Sequence, residues 1–312
     1  MKFFRHKSFA VHLPFLFLLF LFVGCAQNEA RSSSAYLKSE ASLQAGQFNK
    51  GILWKVSKQG ATPSYVFGTV HSEDERVTNL PDEINDAFTA ADIFLLEMIL
   101  DDKNSKAIMR EMYFNDGRNL KSLVSIDLYT SAVNAMKKKG LPEHLVNIMK
   151  PWAIFTVLNM PDQKTGLFLD AVLYQSAIKH NKHVIGLESM KEQLAVFDEM
   201  SLETQLSLLK SSLESGEDMD KILDEIIEIY LTHDLQKILE LNDSYIELLD
   251  KDIAEIFNQR LIVDRNKRMV ERMLSSIDKG NAFIAIGALH LPGENGVLSL
   301  LIQKGYSVSA VY

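Results

Sequence analysis

The chain has 312 residues and a formal net charge of −8, with 41 acidic residues against 33 lysines and arginines. This acidic balance, without clusters of basic residues, argues against nucleic acid as a partner. A single cysteine excludes a disulfide framework, so apolar packing must hold the fold, and the length is sufficient for one large domain.

The N-terminus has the pattern of an export signal. Basic residues within the first seven positions precede an apolar run at 13–23, which is short for a membrane span. The run ends at Gly24-Cys25, which resembles the lipobox of bacterial lipoproteins. We predict a lipoprotein signal peptide over residues 1–24, followed by a lipidated Cys25 and a flexible tether over residues 25–48.

This pattern predicts an exported protein that is anchored to a lipid bilayer of the cell envelope through Cys25. In a cell with two membranes, Ala26 after the cysteine favours the outer membrane, with the domain facing the periplasm. The alternative is an ordinary signal peptide that happens to contain a cysteine.

Beyond the tether, short apolar runs and helical periodicity predict one domain over residues 49–312. The predicted strands cover residues 51–56, 64–67, 92–98, 183–187, 282–286 and 306–312. The predicted helices cover residues 81–91, 120–139, 143–160, 167–181, 202–215, 219–231, 235–249, 253–277 and 296–304. Most of the helices therefore lie between two strand-containing ends of the chain.

The two ends of the domain repeat one order of features. An apolar strand ends in Gly68-x-x-His71, and a helix that begins near Pro81 leads to the next strand. Near the C-terminus, a strand ends in Gly287-x-x-His290, and a helix again leads to a strand. We predict an α/β fold (α+β in detail), with a central mixed sheet built from N- and C-terminal βαβ-like units and a large helical insertion at roughly 100–280.

Polar side chains follow four of the predicted strands. These residues are His71, Glu97, Glu188 and His290. Because ligands of open α/β sheets bind at the carboxyl ends of the strands, we expect the four side chains to form one site. Two imidazoles and two carboxylates suit a divalent metal of the Mn, Zn, Fe or Co type, and suit general acid–base catalysis equally well. The chain has no Gly-x-Ser-x-Gly elbow, which argues against a serine hydrolase, and no P-loop or dinucleotide fingerprint.

Seven short segments at both ends and in the middle of the domain form a recognisable set. They are Leu53-Trp54-Lys55-Val56, Phe67-Gly68-Thr69-Val70-His71, Leu95-Leu96-Glu97, Gly166-Leu167-Phe168-Leu169-Asp170, Val184-Ile185-Gly186-Leu187-Glu188, Arg265-Asn266 and Gly287-Ala288-Leu289-His290-Leu291-Pro292-Gly293. Over residues 53–312 the sequence therefore resembles the TraB/GumN (TIKI-like) family. Each motif is short, and their common order gives the resemblance its specificity. Ser189 stands where the family pattern leads us to expect threonine.

The resemblance implies a metal-dependent hydrolase of the peptidase or esterase type. It implies that His71, His290, Glu97 and Glu188 bind a divalent metal (Mn, Co or Zn) and that Glu97, Glu188, Arg265 and Asn266 take part in catalysis. Arg265 and Asp170 are the candidates for substrate binding. Animal TIKI members are described as metalloproteases, whereas the wider superfamily includes haem-binding ChaN-like lipoproteins. A non-catalytic haem- or metal-binding lipoprotein is therefore the alternative, and an envelope scaffold with a decayed site is a third. The peptide, ester or small-molecule substrate and the oligomeric state stay open.

Overall fold

The computed structural model describes residues 48–99, 101–162, 164–215, 219–247 and 249–312. The predicted signal peptide, the lipidated Cys25 and almost all of the tether lie outside these residues. No helix in the described ranges is both long and apolar enough to cross a membrane.

The described residues contain one mixed six-stranded sheet. Its strands are β1 (Leu53–Ser57), β2 (Ser64–Thr69), β3 (Ile93–Leu96), β4 (His183–Gly186), β5 (Ala282–Gly287) and β6 (Ser307–Ala310). Their order across the sheet is β4-β3-β5-β2-β1-β6. Strand β5 pairs in parallel with both β2 and β3, β3 pairs in parallel with β4, and β1 is antiparallel to its neighbours β2 and β6. Strands β4, β3, β5 and β2 therefore end at the same edge.

The centre of the sheet comes from the far end of the chain. All six residues of β5, Ala282-Phe283-Ile284-Ala285-Ile286-Gly287, are buried. A continuous apolar run of this kind is typical of a parallel strand that is covered on both faces. By contrast, the outer strand β4 is only partly buried.

The predicted fold class is confirmed, and the structure adds how the two βαβ-like units are joined. The N-terminal unit runs from β2 through helix α2 (Asp82–Ala90) to β3, yet β5 lies between its two strands. The C-terminal unit runs from β5 to β6, with β2 and β1 between them. The two units are therefore interleaved, and neither forms a separate half of the sheet.

The remaining helices follow the predicted order. They are α1 (Glu75–Thr78), α3 (Asp102–Glu111), α4 (Leu120–Leu123), α5 (Ile126–Lys138), α6 (Glu143–Ile148), α7 (Pro151–Leu158), α8 (Leu169–Lys179), α9 (Met190–Asp198), α10 (Leu202–Ser215), α11 (Met219–Tyr230), α12 (Leu235–Ile246), α13 (Lys251–Phe257), α14 (Asp264–Lys279) and α15 (Val297–Gln303). A π-helical segment, Asn258–Val263, joins α13 to α14. Helices α1, α3 and α9 were not predicted. For α9 a signal was present, because Ser189 and Glu192 form a capping box at its start.

Two apolar clusters stabilise the domain. The first, which we call the sheet core, surrounds the strands and includes Phe94, Phe283 and Leu289. The second, which we call the helical core, lies among the inserted helices and includes Trp152, Phe197 and Phe257. The π-helical residue Ile262 packs against both clusters, so the segment that precedes α14 lies at the seam between them.

Candidate functional site

The strand-end residues are held together by the register of the sheet. Beyond the ends of β3 and β4 the parallel pairing continues, and the Glu188 N–H donates to the Glu97 carbonyl over 2.7 Å. The Gly287 N–H, at the end of β5, donates to Glu97 Oε1 over 2.8 Å. The alignment of the parallel strands therefore places Glu97 beside both Glu188 and the C-terminal Gly-x-x-His segment.

A glycine permits the two Gly-x-x-His segments to approach each other. A Cβ atom on Gly68 would lie 2.7 Å from Leu291 Cδ1 and 3.1 Å from the Ala288 backbone. A side chain at position 68 would therefore displace the end of the Leu291 side chain and press against Ala288, in the turn that carries His290. The Tyr230 hydroxyl donates to the Gly68 carbonyl over 2.8 Å and fixes this contact from the helical side.

Arg265, on the first turn of α14, holds both glutamates. Its Nη2 donates to Glu97 Oε2 over 2.5 Å, and its Nε donates to Glu188 Oε2 over 2.8 Å. The arginine is 1% exposed and both glutamates are 4% exposed, so the three form a buried charge cluster. Burial alone would raise the pKa of Glu97, but Arg265, the two histidines and the Gly287 N–H lower it to about 2. Glu97 is therefore ionised throughout the physiological range.

Both oxygens of Glu188 are already engaged. Besides Arg265, its carboxylate accepts hydrogen bonds from the Arg268 guanidinium on Oε1 and from Gln193 Nε2 on Oε2. Arg268 lies three residues after Arg265, on the same face of α14, a spacing that could have identified it from the sequence. The sequence analysis assigned Glu188 to metal binding and catalysis, and it therefore did not predict an ion pair between Glu188 and Arg268.

His290 is fully buried, and its tautomer follows from its neighbours. Asn266 Nδ2 donates to the Asn295 carbonyl over 2.8 Å, so Asn266 must present Oδ1 to His290 Nδ1, which is 2.6 Å away. His290 Nδ1 therefore carries the proton, and Nε2 carries the lone pair. Nε2 has no hydrogen-bond partner among the described residues and lies 3.9 Å from Glu97 Oε1. Burial and the nearby Arg265 lower the pKa of His290 to about 4, so the ring is neutral at pH 7.

His71 has a carboxylate behind it. Its Nδ1 lies 2.8 Å from Asp170 Oδ2, and the Thr69 hydroxyl donates to Asp170 Oδ1 over 2.8 Å. Burial opposes protonation of His71, but the charge and hydrogen bond of Asp170 prevail and raise its pKa. Asp170 therefore lies against both His71 and Thr69, which favours a role in positioning His71 over the predicted role in substrate binding.

Residues 164–168, which precede α8, lie against His71 and the segment that follows it. The Glu73 carboxylate accepts hydrogen bonds from the backbone N–H groups of residues 164–166 at distances of 2.5–3.2 Å. At the end of this loop, the Phe168 ring meets the His71 ring edge-on, with centroids 5.1 Å apart. Glu73 was not identified from the sequence, where a glutamate two residues after the Gly-x-x-His motif gave no signal.

The donor set fits a divalent metal in part. His290 Nδ1 donates to Asn266, and His71 Nδ1 lies 2.8 Å from Asp170 Oδ2. An acceptor beside Nδ1 is the usual arrangement of a histidine that binds metal through Nε2, and Glu97 offers a carboxylate oxygen beside the two rings. Glu188 fits less well, because two guanidinium groups already neutralise it. Within the described residues no three His, Cys, Asp or Glu side chains are already spaced as a metal site. Binding would therefore require His71, His290 and Glu97 to adjust locally.

Comparison with known proteins identifies a family and relatives that match most of the chain. The profile of the TraB/PrgY/gumN family matches residues 52–310. Metalloprotease TIKI1 from Xenopus tropicalis is 25% identical over 96% of this chain and 68% of its own length. Metalloprotease TIKI2 from the same species is 25% identical over 82% of this chain, which spans only 59% of the length of that relative.

A bacterial relative resembles this chain in length as well. An uncharacterized protein from Treponema pallidum is 21% identical over 92% of this chain and 88% of its own length. No solved structure gives a significant match.

Proposed function

The chain belongs to the TraB/PrgY/gumN family, and we propose that it is a metal-dependent hydrolase of the peptidase or esterase type. Its animal relatives at 25% identity are named metalloproteases, which supports this activity at the level of the family. The residues that surround Glu97 support it at the level of the site.

One observation carries the proposal: the environment of His290 Nε2. This nitrogen is buried, has its lone pair unprotonated and lacks a hydrogen-bond partner among the described residues. A buried polar atom without a partner costs about 1–3 kcal/mol, so such an atom is retained where it has a ligand or a reaction to serve. His290, His71 and Glu97 are the residues that would hold the metal.

A bound divalent metal would polarise a substrate carbonyl and lower the pKa of a water molecule. The chain supplies the surroundings for that chemistry. Of the two glutamates, Glu97 is the one left to interact with such a centre, because among the described residues its Oε1 accepts the Gly287 N–H alone and faces His290, whereas Glu188 is neutralised by two arginines. Arg265 fixes the orientation of Glu97, Asn266 fixes the tautomer of His290, and Asp170 orients His71.

The test measures bound metal and hydrolysis in parallel. The full-length chain, purified in detergent without chelator, is incubated with Mn, Co or Zn, desalted, and analysed for metal content and for cleavage of a peptide mixture and a nitrophenyl ester. We expect about one metal ion per chain, and its loss in His71→Ala and His290→Gln. His183→Ala is the matched control, because His183 is exposed on β4, away from the site. Equal metal content in all four proteins, or hydrolysis that survives both site substitutions, would contradict the proposal.

We also propose that the domain is exported and anchored to the cell envelope through a lipidated Cys25. The basic start, the apolar run and the Gly24-Cys25 junction support this location. Palmitate labelling of the expressed chain is expected to mark the wild type and to fail for Cys25→Ser. Labelling of both proteins, or of neither, would favour the ordinary signal peptide.

The haem-binding alternative has no comparable support. The His290 ring is fully buried next to a guanidinium and two carboxylates, whereas a haem face needs an apolar slot beside its axial ligand. A Soret band on haem titration that is lost in His290→Gln would reverse this preference.

A further inference from the structure

We propose that a groove at the seam between the sheet core and the helical core is the subsite for a basic substrate side chain, one with an apolar stem and a cationic end. Lysine and arginine have this chemistry. The inference rests on the proposed function, because it assigns a substrate class to the same site.

The groove has the size and floor of a side-chain pocket. Its volume is about 400 Å³, and it lies between α12, α13, the π-helical segment and the turn before His290. Its floor is apolar, and Phe257, Leu261 and Leu289 contribute side chains that are 1%, 6% and 3% exposed. Ligand pockets are concave, mostly apolar and of about 300–1,000 Å³, so the groove is sufficient for one or two side chains.

Two segments of the chain connect the groove to the residues of the proposed site. Leu289, in its floor, directly precedes His290. Leu261 and Ile262 belong to the π-helical segment, and the next turn of the chain carries Arg265 and Asn266. Single-turn π segments inside helices occur frequently at functional sites. A substrate residue in the groove would therefore contact the two segments that carry His290 and Arg265.

The polar rim selects the charge of the occupant. Asp243 on α12 and Glu255 on α13 both line the groove and are exposed at its mouth. The Asn242 amide donates to the Asp243 carboxylate over 3.4 Å, and among the described residues no lysine or arginine forms an ion pair with Asp243 or Glu255. An anionic occupant would be repelled by both. An apolar floor beneath two uncompensated carboxylates fits an aliphatic stem that ends in a cation.

The test compares two fluorescein-labelled pentapeptides that differ at one position. The first has lysine between two leucines, and the second has norleucine, which keeps the stem and lacks the ammonium group. Binding to the full-length chain is followed by fluorescence anisotropy in the presence of EDTA, so that cleavage does not interfere. We expect the lysine peptide to bind about three- to tenfold more tightly, with a ratio that declines as salt is raised.

Variants assign the effect to the groove. Asp243→Asn/Glu255→Gln is expected to bring the two affinities together, and Ala254→Phe, which fills the groove, is expected to weaken both peptides. Glu240→Gln/Glu247→Gln is the matched control: it makes the same change in net charge at exposed positions on and just after α12 that do not line the groove. Equal affinity for the two peptides in the wild type, or the same loss in the control as in Asp243→Asn/Glu255→Gln, would overturn the inference.

Failure of this inference is distinguishable from failure of the proposed function. The His71→Ala protein is expected to retain the lysine preference, since binding in the groove needs no metal. Retained preference without hydrolysis under any metal would refute the hydrolase and leave the groove in place. Hydrolysis of the peptide mixture without any lysine preference would refute the groove alone.

Discussion

The two Gly-x-x-His segments end in histidines with opposite surroundings. His71 is 17% exposed at its side chain and is backed by a carboxylate, and its pKa is raised. His290 is fully buried and backed by an amide; burial and the nearby Arg265 lower its pKa to about 4. The repeated motif therefore fixes where each ring lies, whereas residues far from the motif set its proton state. Paired groups with pKa values pushed apart are typical of sites that both donate and accept protons.

The largest expected effect comes from removing Arg265, which holds both buried glutamates and lowers the pKa of His290. Arg265→Leu leaves Glu97 and Glu188 buried without their shared guanidinium, and we expect a loss of about 3–5 kcal/mol in the free energy of unfolding. Arg272→Leu is the control, because this arginine is 42% exposed and pairs with Glu192 at the surface, where such a pair contributes about 1 kcal/mol or less. Urea unfolding measures both. Similar losses in the two variants would mean that Arg265 does not anchor the cluster.

An intermediate effect is expected in the pH dependence of stability. The unfolded chain takes up a proton on His290 near pH 6.5, whereas the native ring resists protonation until about pH 4. Acidification through this window therefore favours the unfolded state, by about 2–3 kcal/mol at its lower end. Glu97 acts in the same direction at lower pH, because its stabilisation is present above its unfolded value of 4.5 and is lost towards about 2.

His71 has the opposite sign. Its raised pKa stabilises the native state below the unfolded value of 6.5, and this contribution is lost as the pH rises through the native pKa. Urea unfolding at several pH values in EDTA would show a shallower acid-side slope for His290→Gln than for the wild type, with His183→Gln keeping the wild-type slope. Identical slopes in all three proteins would refute the assignment of a low pKa to His290.

The smallest expected effect comes from exchanging the groups behind the two rings. Asp170→Asn is expected to lower the pKa of His71, and Asn266→Asp to raise that of His290, because an opposite charge nearby favours the protonated ring. NMR titration of the histidine rings, with the protein in EDTA, measures the pKa values of His71 and His290. Asp278→Asn, which alters an exposed carboxylate that pairs with Lys58, should leave them unchanged. A His71 pKa unaffected by Asp170→Asn would mean that Asp170 does not set the proton state of that ring.

The convergence of His71, Glu97, Glu188 and His290 could be predicted because it depends on a local rule. Each residue follows a strand, and parallel strands end at one edge, so alternation and apolar runs were sufficient. The partners of these residues could not be predicted in the same way. Asp170 reaches His71 from the start of α8, and Arg265 reaches Glu97 across 168 residues of sequence. Contacts of this kind depend on how the helices dock, which no local periodicity encodes.

The fold shows the same division. The strands and most helices were predicted by their periodicity, whereas the position of β5 between β2 and β3 was not, because strand order is a property of the whole sheet. The groove also escaped prediction, since its floor joins Leu289 to Phe257 and Leu261 only after the two cores have packed. Sequence patterns located the side chains that define the site, and tertiary docking defined their surroundings.

The central position of β5 has a consequence for the order in which the molecule can assemble. Ala282 contacts Ser64 across 218 residues, and without β5 the strands β2 and β3 have no common neighbour. During synthesis the sheet must wait for almost the entire chain, so folding has to begin from contacts of high sequence separation and is expected to be slow. A chain whose central strand is the fifth of six to be made keeps its sheet open until that strand arrives. His290 then enters the site in the same event that closes the sheet, so an incomplete chain cannot form the site.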